Sequence, residues 1–496
     1  MSHAASTSAS ALPPLGRSGP HQRRLGLVSI VACFGGLLFG YDTGVVNGSE
    51  GPMAADLGLD LIQLGLIVGL LPFGAAVGAL LCGKLSDAIG RRRAIILLAV
   101  LFFCGVLLVV FAPGGNGAFS AVAYACVLAG RLVLGLAVGG ASTVVPVYLA
   151  ELAPYEIRGS ITGRNELAIV SGQLAAFVVN ALIATIFGTE GHIWRIMFAM
   201  CAIPAVFLFV GMLRMPESPR WLVEHGRRAD ALGVLHTIRS AERAEAELGQ
   251  IDAVAEEEQA EGTVGLRGLL RNKWLVRIVA VGFGLSMIQS LTGISSVMFF
   301  GTRVLEESGM TPEQAVLANI SFGVVAVIGG IIALRNMDRL NRRTTFLLGL
   351  ALTTSCHILI SIAAVVFPEG NPARPFVVLV LVVAFVLSMQ TFLNIAVWVW
   401  LAEIFPLHMR GLGMGIAAVG GWVVQGVLAI LMPTLLASIG IVGAFLMFAV
   451  IGVLSLLYVW RLVPETRGRT LESLEEDVTT GAIHVIARSR RARERR

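Results

Sequence analysis

Apolar residues in this chain run in long uncharged stretches and do not alternate every second position. Residues 94–130, 167–189, 278–302, 375–402 and 411–460 contain no Asp, Glu, Lys or Arg. Each run matches or exceeds the ~20 residues an α-helix needs to cross a bilayer. Cutting at charges and at Pro/Gly punctuation predicts spans near 27–47, 61–82, 94–112, 119–149, 166–187 and 195–214, then 276–301, 314–334, 344–367, 375–401, 411–437 and 440–462. The expectation is an all-α membrane protein with twelve transmembrane helices.

Composition narrows the class. A length of 496 residues suggests roughly three soluble domains, but 56% of the residues are hydrophobic and only 14% charged, with a mean hydropathy of +0.81. That balance excludes a soluble enzyme, a disulfide scaffold and a nucleic-acid binder. The six cysteines lie in apolar segments without metal-ligand spacing and read as small hydrophobes. No phosphate loop, nucleophile triad or Cys/His cluster is present, so neither catalysis, metal nor cofactor is expected. His357, deep in a span without a metal-spaced partner, reads as a packed core residue.

Charge sets the orientation. Apart from Arg131 inside a span, and Arg195, Arg303 and Arg374 at the odd-numbered loops, the lysines and arginines occupy the tails and the even-numbered loops. The positive-inside rule then places both termini in the cytoplasm of a cell-membrane protein. The expected domains are a disordered tail (1–24), a six-helix half (25–214), a cytosolic helical linker (215–273), a second half (274–462) and a basic tail (463–496) attracted to anionic lipid.

The chain repeats itself. Asp87 is followed by Arg91 and Arg92 as Asp338 is by Arg342 and Arg343. Ala150-Glu151 leads to Pro154 and Arg158-Gly159 as Ala402-Glu403 leads to Pro406 and Arg410-Gly411. Pro216-Glu217 matches Pro464-Glu465. The offsets are 251, 252 and 248 residues, so two six-helix halves run parallel, an arrangement that holds a midplane cavity between them.

Gly35-Gly36-Leu37-Leu38-Phe39-Gly40-Tyr41-Asp42-Thr43-Gly44, the loop 83–93, Pro216-Glu217-Ser218-Pro219-Arg220-Trp221 and Pro464-Glu465-Thr466-Arg467-Gly468 together resemble the sugar porter family of the major facilitator superfamily, over roughly residues 25–475. The resemblance implies alternating access by rocking of the two halves, with a monosaccharide or polyol held between them.

Within that frame the polar residues of the spans become candidates. Asp42 and Arg131 are intramembrane charges, expected to face each other because an unpaired charge there costs about 2.5–3.5 kcal/mol on insertion scales. Proton-coupled members of the family resemble this chain in having Asp at position 42, which implies coupling by competition between a proton and the arginine. Glu166, Gln173 and Asn180 repeat every seven residues and share one face of the fifth span. The amides of Gln173 and Asn180 suit sugar hydroxyls, which both donate and accept. By resemblance Glu166 and Gln173 occupy sugar-binding positions, and the Asn165-Glu166 pair is similar to the bacterial inositol and polyol branch.

The seventh span carries Gln289, which matches the family's first Gln, then Ser290 and Ser295 where the family has longer amides, followed by Phe299 and Phe300 in place of paired tyrosines. The tenth offers Gln390, Asn394 and Trp398, and the eleventh Trp422; an indole gives a flat wall for a sugar ring. Trp400 and Trp460 are expected as interface anchors. The family's Gly-Pro before the tenth-span Trp is Asn394-Ile395 here, which predicts a stiffer helix.

At the inner face the expected gate pairs Asp87 with Arg91, Arg92 and Arg93, Glu151 with Arg158, Asp338 with Arg342 and Arg343, and Glu403 with Arg410, joined by Glu217 and Glu465. In similar transporters such pairs cross the inner face and close it. The sequence therefore points to a proton-coupled symporter of a hexose, pentose or inositol. Its partners are substrate, protons and lipid, and it is functional as a monomer. A facilitative uniporter, a drug/proton antiporter and a non-transporting nutrient sensor of the same fold are the alternatives.

Overall fold

The computed structural model describes residues 20–188, 191–261, 266–336, 339–406, 409–467 and 471–483. The first five spans are single helices: α1 (Pro20–Leu57), α2 (Leu61–Ile89), α3 (Arg91–Val110), α4 (Ala121–Leu152) and α5 (Arg158–Phe187). The sixth is α6 (Ile193–Ala199) followed by α7 (Ala202–Leu213). Local signals set the boundaries. Asp60 and Gln63 form a capping box at the start of α2, with Gln63 N–H donating to Asp60 at 2.7 Å and Asp60 N–H to Gln63 at 3.0 Å.

Four short helices follow, α8 (Pro219–Glu224), α9 (Arg228–Ile238), α10 (Ala241–Glu261) and α11 (Leu266–Arg271). The seventh span is broken into α12 (Lys273–Leu291) and α13 (Ile294–Glu307), and α14 (Pro312–Asn336) and α15 (Arg342–Val366) come next. The tenth comprises α16 (Arg374–Met389), a π-turn (Gln390–Asn394) and α17 (Ile395–Ile404). Then come α18 (Arg410–Leu462) and a terminal helix, α19 (Leu471–Thr480).

Among the described residues, eleven helical elements are long and apolar enough to cross a membrane, and they make twelve crossings. At 53 residues α18 would extend about 80 Å if straight, against a hydrocarbon core of about 30 Å. It folds back at Gly440, whose φ of +63° only glycine adopts without strain. Outward-facing Leu182, Ile186, Phe207, Phe376, Val380 and Leu454 are exposed and present an apolar surface to lipid.

Without a hydrophobic drive in lipid, helices associate by close packing of small residues. On α1, Gly36, Gly44 and Gly48 face α5 so closely that a Cβ would meet Asn165 at 2.6 Å, Ala176 at 2.7 Å and Asn180 at 2.7 Å. Gly40, in the same stripe, abuts the Ile169 carbonyl.

The first six spans meet the last six through α1–α13, α2–α18 and α5–α14. Along α2–α18 the fit is tight at one end, where a Cβ on Gly69 would lie 2.7 Å from the Gly426 carbonyl and one on Gly426 2.7 Å from Phe73. Toward the arginine-rich end, Gly415 has only Leu80 at 4.0 Å, and Gly83 and Gly411 have nothing within 4 Å. Along α2–α18 the two sets therefore pack closely away from the arginines and part beside them, while α5 and α14 still touch near the arginine-rich end, where a Cβ on Gly163 would meet Leu334 at 2.9 Å.

Two expectations change here. The tenth span is not stiffened by loss of Gly-Pro: its i→i+4 pattern gives way to a π-turn at Gln390–Asn394, and such turns supply the irregularity a Gly-Pro break otherwise provides. Trp400 is not an interface anchor. It is fully buried, and its indole N–H donates to the Pro464 carbonyl at 3.0 Å.

Candidate functional site

Asp42 and Arg131 meet in the interior. Arg131 Nη1 donates to both Asp42 oxygens, at 2.9 and 3.1 Å, and both residues are 0% exposed. Arg131 Nε donates to the Ile67 carbonyl at 3.2 Å, and the guanidinium lies 5.8 Å from the Phe198 ring centroid. The pair thus ties α1, α2, α4 and α6 together and is sealed from solvent in this conformation.

The faces of α5 follow from its neighbours. At 100° per residue, Asn165, Ile169, Gly172, Ala176 and Asn180 share the side that touches α1, while Gly163, Val170 and Leu174 share the side that touches α14. Leu182 and Ile186 mark the exposed side. Glu166 and Gln173 fall on the strip between the α1 and α14 contacts, where Glu166 is half-buried and Gln173 buried. Glu166 lies eight residues into α5, about 12 Å from its start, well beyond the first turn. Neither its carboxylate nor Gln173 Oε1 has a hydrogen-bond partner among the described residues. Asn180 differs: its Nδ2 donates to the Gly44 and Val45 carbonyls at 3.2 and 3.1 Å, so it clamps α1 to α5.

Opposite this strip, Gln289 on α12 donates through Nε2 to the Asn394 carbonyl at 3.2 Å and to Asn394 Oδ1 at 3.0 Å. The π-turn brings Asn394 to Gln289. Ser290 donates to the Gly421 carbonyl at 3.0 Å, so its proton is taken up by the α12–α18 contact. Ser295, just past the helix break, is half-buried, as is Trp398 on α17. Trp422 on α18 packs on Phe39 of α1, with ring centroids 5.3 Å apart, and bridges the two sets. Gln390 is buried with its Oε1 unpaired among the described residues. Phe299 and Phe300 are fully buried.

At the arginine-rich end Arg91 pairs with Asp87 as expected, and several other charges take partners that were not expected. Arg91 meets Glu151 at 3.1 Å and Asp87 at 2.9 Å, and Arg342 meets Glu403 at 2.8 Å. Arg158 is exposed on the first turn of α5, without an ion pair among the described residues, because that turn points away from Glu151. Arg410 Nε donates to the Phe405 carbonyl at 3.4 Å. Glu217 accepts from the Arg92 backbone N–H at 2.9 Å, and Glu465 accepts from those of Arg342 and Arg343 at 2.9 and 3.0 Å. Each carboxylate thereby satisfies free donors at a helix N-terminus. The Arg92 guanidinium donates to the Met212 carbonyl, and that of Arg343 to Trp460. Arg93 is exposed. All of these contacts lie within one six-span set or its adjoining segment; none described here crosses the inner face. Asp338 lies outside the described residues.

Two features escaped the sequence reading. Tyr148 donates to the Pro216 carbonyl at 2.7 Å, the counterpart of Trp400 to Pro464; the 252-residue offset between the two aromatic donors was the available signal. At the far end, Asn47 Oδ1 accepts from Thr302 N–H at 2.7 Å, Thr302 hydroxyl at 2.8 Å and Asn319 at 3.3 Å, joining α1 to α13 and α14. Arg303 lies 3.7 Å from the buried Glu50 beside them.

The family model described as sugar (and other) transporter matches residues 28–478. The major myo-inositol transporter IolT of Bacillus subtilis (strain 168) is 44% identical over 466 residues, which cover 93% of this chain and 96% of that protein. The xylose transporter XylE from E. coli, in a partially occluded inward-open conformation, superposes with a TM-score of 0.79 at 26% identity, covering 90% of this chain and 100% of that one. The proton:xylose symporter XylE bound to 6-bromo-6-deoxy-D-glucose gives 0.75 at 29% identity, covering 92% and 99%.

Proposed function

The chain belongs to the sugar (and other) transporter family, and from that premise we propose that it is a proton-coupled symporter of a cyclic polyol or monosaccharide, with an inositol as the leading substrate. The coupling reading rests on one observation: a carboxylate and a guanidinium bonded at 2.9 Å and wholly removed from solvent in the membrane interior. Such a pair is expensive unless it works, because intramembrane charges are retained chiefly for ion or proton pathways. When the conformation admits water, a proton on Asp42 replaces Arg131 as its partner, and the pair reforms on release.

Substrate occupies the space between the α5 strip and the α12, α17 and α18 residues. Glu166 and Gln173 bind from one side; Gln289, Asn394, Ser290 and Ser295 from the other; Trp398 and Trp422 form the walls. An ionised Glu166 accepts hydrogen bonds only, which favours a ring bearing many hydroxyl donors. The 44% identity to a myo-inositol transporter supports the same class.

Two six-helix units, joined by the linker, rock about this site within a single chain. Both termini face the cytoplasm of the cell membrane, so the parted arginine-rich end is the cytoplasmic opening and the Asn47 cluster the closed outer side. The inner-face charges, including Arg158, Arg410 and Asp338, act as the cytoplasmic gate when the halves rock together.

Uptake into proteoliposomes of a labelled panel of inositols, hexoses and pentoses, with and without an imposed pH gradient, tests the proposal. Gradient-driven accumulation of at least one polyol or sugar is expected. Uptake that only equilibrates would favour a facilitative uniporter, and no uptake of any member would overturn the sugar and polyol reading in favour of a sensor or a drug/proton antiporter.

A further inference from the structure

His357 lies in the middle third of α15 and is 1% exposed. Its ring is enclosed by Phe385, Phe445 and Phe448, with centroids 4.5, 5.6 and 5.6 Å away. Its Nε2 stands 3.0 Å from the Thr292 carbonyl oxygen. A carbonyl only accepts, so Nε2 carries the proton and the ring is the Nε2–H tautomer. Nδ1 has no partner among the described residues.

Thr292 is where the seventh span breaks. Gly293, at φ +83°, turns the chain from α12 into α13, and Phe448 lies so close that a Cβ there would meet its ring at 3.0 Å. A helix end leaves carbonyls without their usual N–H donors. Here the Thr292 hydroxyl bonds the Gln289 carbonyl at 2.6 Å and Gly293 N–H the Ser290 carbonyl at 3.3 Å. The donor for the Thr292 carbonyl comes from His357, on another helix.

We propose that His357 is a positioning residue for the substrate site. Its single hydrogen bond fixes the direction in which α13 leaves the break, and so the placement of Ser295 on one side relative to Gln289 and Ser290 on the other. The inference rests on the assignment of those residues to the site. A role in packing alone makes a different claim: a flat apolar ring in the same cage would serve as well.

The test compares the full-length purified protein with His357→Phe, which keeps a ring and loses the donor, and His357→Gln, which restores an N–H. The first readout needs no ligand: amide hydrogen exchange of the segment around residues 286–298, with thermal melting and exchange elsewhere in α15 as controls. His357→Phe should speed exchange at the break about tenfold with little change in melting, and His357→Gln should reverse most of that effect. The second readout is myo-inositol binding, which should weaken about tenfold in His357→Phe and recover in His357→Gln.

Unchanged exchange at the break in His357→Phe, or equal acceleration throughout α15 with a matching fall in melting temperature, would overturn the proposal. Should His357→Phe not fold, His357→Met supplies the donor-free variant and is judged by the same outcomes. Failure of the wild-type protein to bind myo-inositol would defeat the substrate reading, while the exchange measurement still decides the role of His357.

Discussion

The two six-span sets are built alike at one level of the membrane and differently at another. At the arginine-rich end three devices occur twice: Arg91 on Glu151 and Arg342 on Glu403, Glu217 and Glu465 on the N-termini of α3 and α15, Tyr148 on Pro216 and Trp400 on Pro464. In the interior the ion pair and the helix breaks are not repeated among the described residues. At the 252-residue offset, Asp42 and Arg131 fall at Ile294 and Val383, so the ion pair belongs to the first set alone. The broken seventh span and the π-turn of the tenth belong to the second. What both sets share braces each into a rigid unit. What only one set has, on the proposed mechanism, divides the work, with proton coupling in the first and most of the substrate contacts in the second.

The largest effect that would break this division is on Asp42. Asp42→Asn should reduce accumulation under a pH gradient to simple equilibration while substrate counterflow continues, since a neutral side chain imitates the protonated carrier; gradient-driven accumulation by the mutant would remove Asp42 from coupling. Next comes the bracing. Arg91→Ala leaves Glu151 without its partner and should cost about 3 kcal/mol of stability, read as a lowered melting temperature. Arg342→Ala should do the same through Glu403, whereas Arg158→Ala on the exposed turn should change stability by no more than about 0.5 kcal/mol. Equal losses at Arg91 and Arg158 would contradict the pairing.

Smaller effects are expected at the site. Gln289→Ala and Trp398→Ala should each weaken binding by about 1–3 kcal/mol, measured by titration with the best substrate of the panel; unchanged dissociation constants would move the site elsewhere. Glu166→Gln should alter the ranking of inositols against hexoses with little loss of protein from the membrane. A mutant with the parent's ranking and pH profile would leave Glu166 with no part in selection.

The spans were legible because a bilayer imposes length and lack of charge, which sequence displays directly. The sequence reading separated the last two spans at 437–440, and the chain indeed folds back at Gly440, whose backbone is not helical. Duplicated spacing identified the charges that take part at the inner end but, apart from Asp87 with Arg91, not their partners. Glu151 is seven residues from Arg158 in sequence, yet packing of α3 beside α4 gives it Arg91 instead. The π-turn had no readable signal, because the residues that make it, Gln390 to Asn394, include neither Gly nor Pro. Asn47 was visible as a polar residue at the end of the first span, but its partners Thr302 and Asn319 lie 255 and 272 residues away, and only the fold brings them together.

Substrate-induced proton movement tests the central claim most directly. Adding the best substrate of the panel to lightly buffered proteoliposomes, without any imposed gradient, should make the external medium more alkaline as protons enter with it. Asp42→Asn vesicles should take up the same substrate with no change in external pH. Substrate entry into wild-type vesicles without alkalinisation would contradict coupled symport, and alkalinisation undiminished in Asp42→Asn would contradict the assignment of coupling to the Asp42–Arg131 pair.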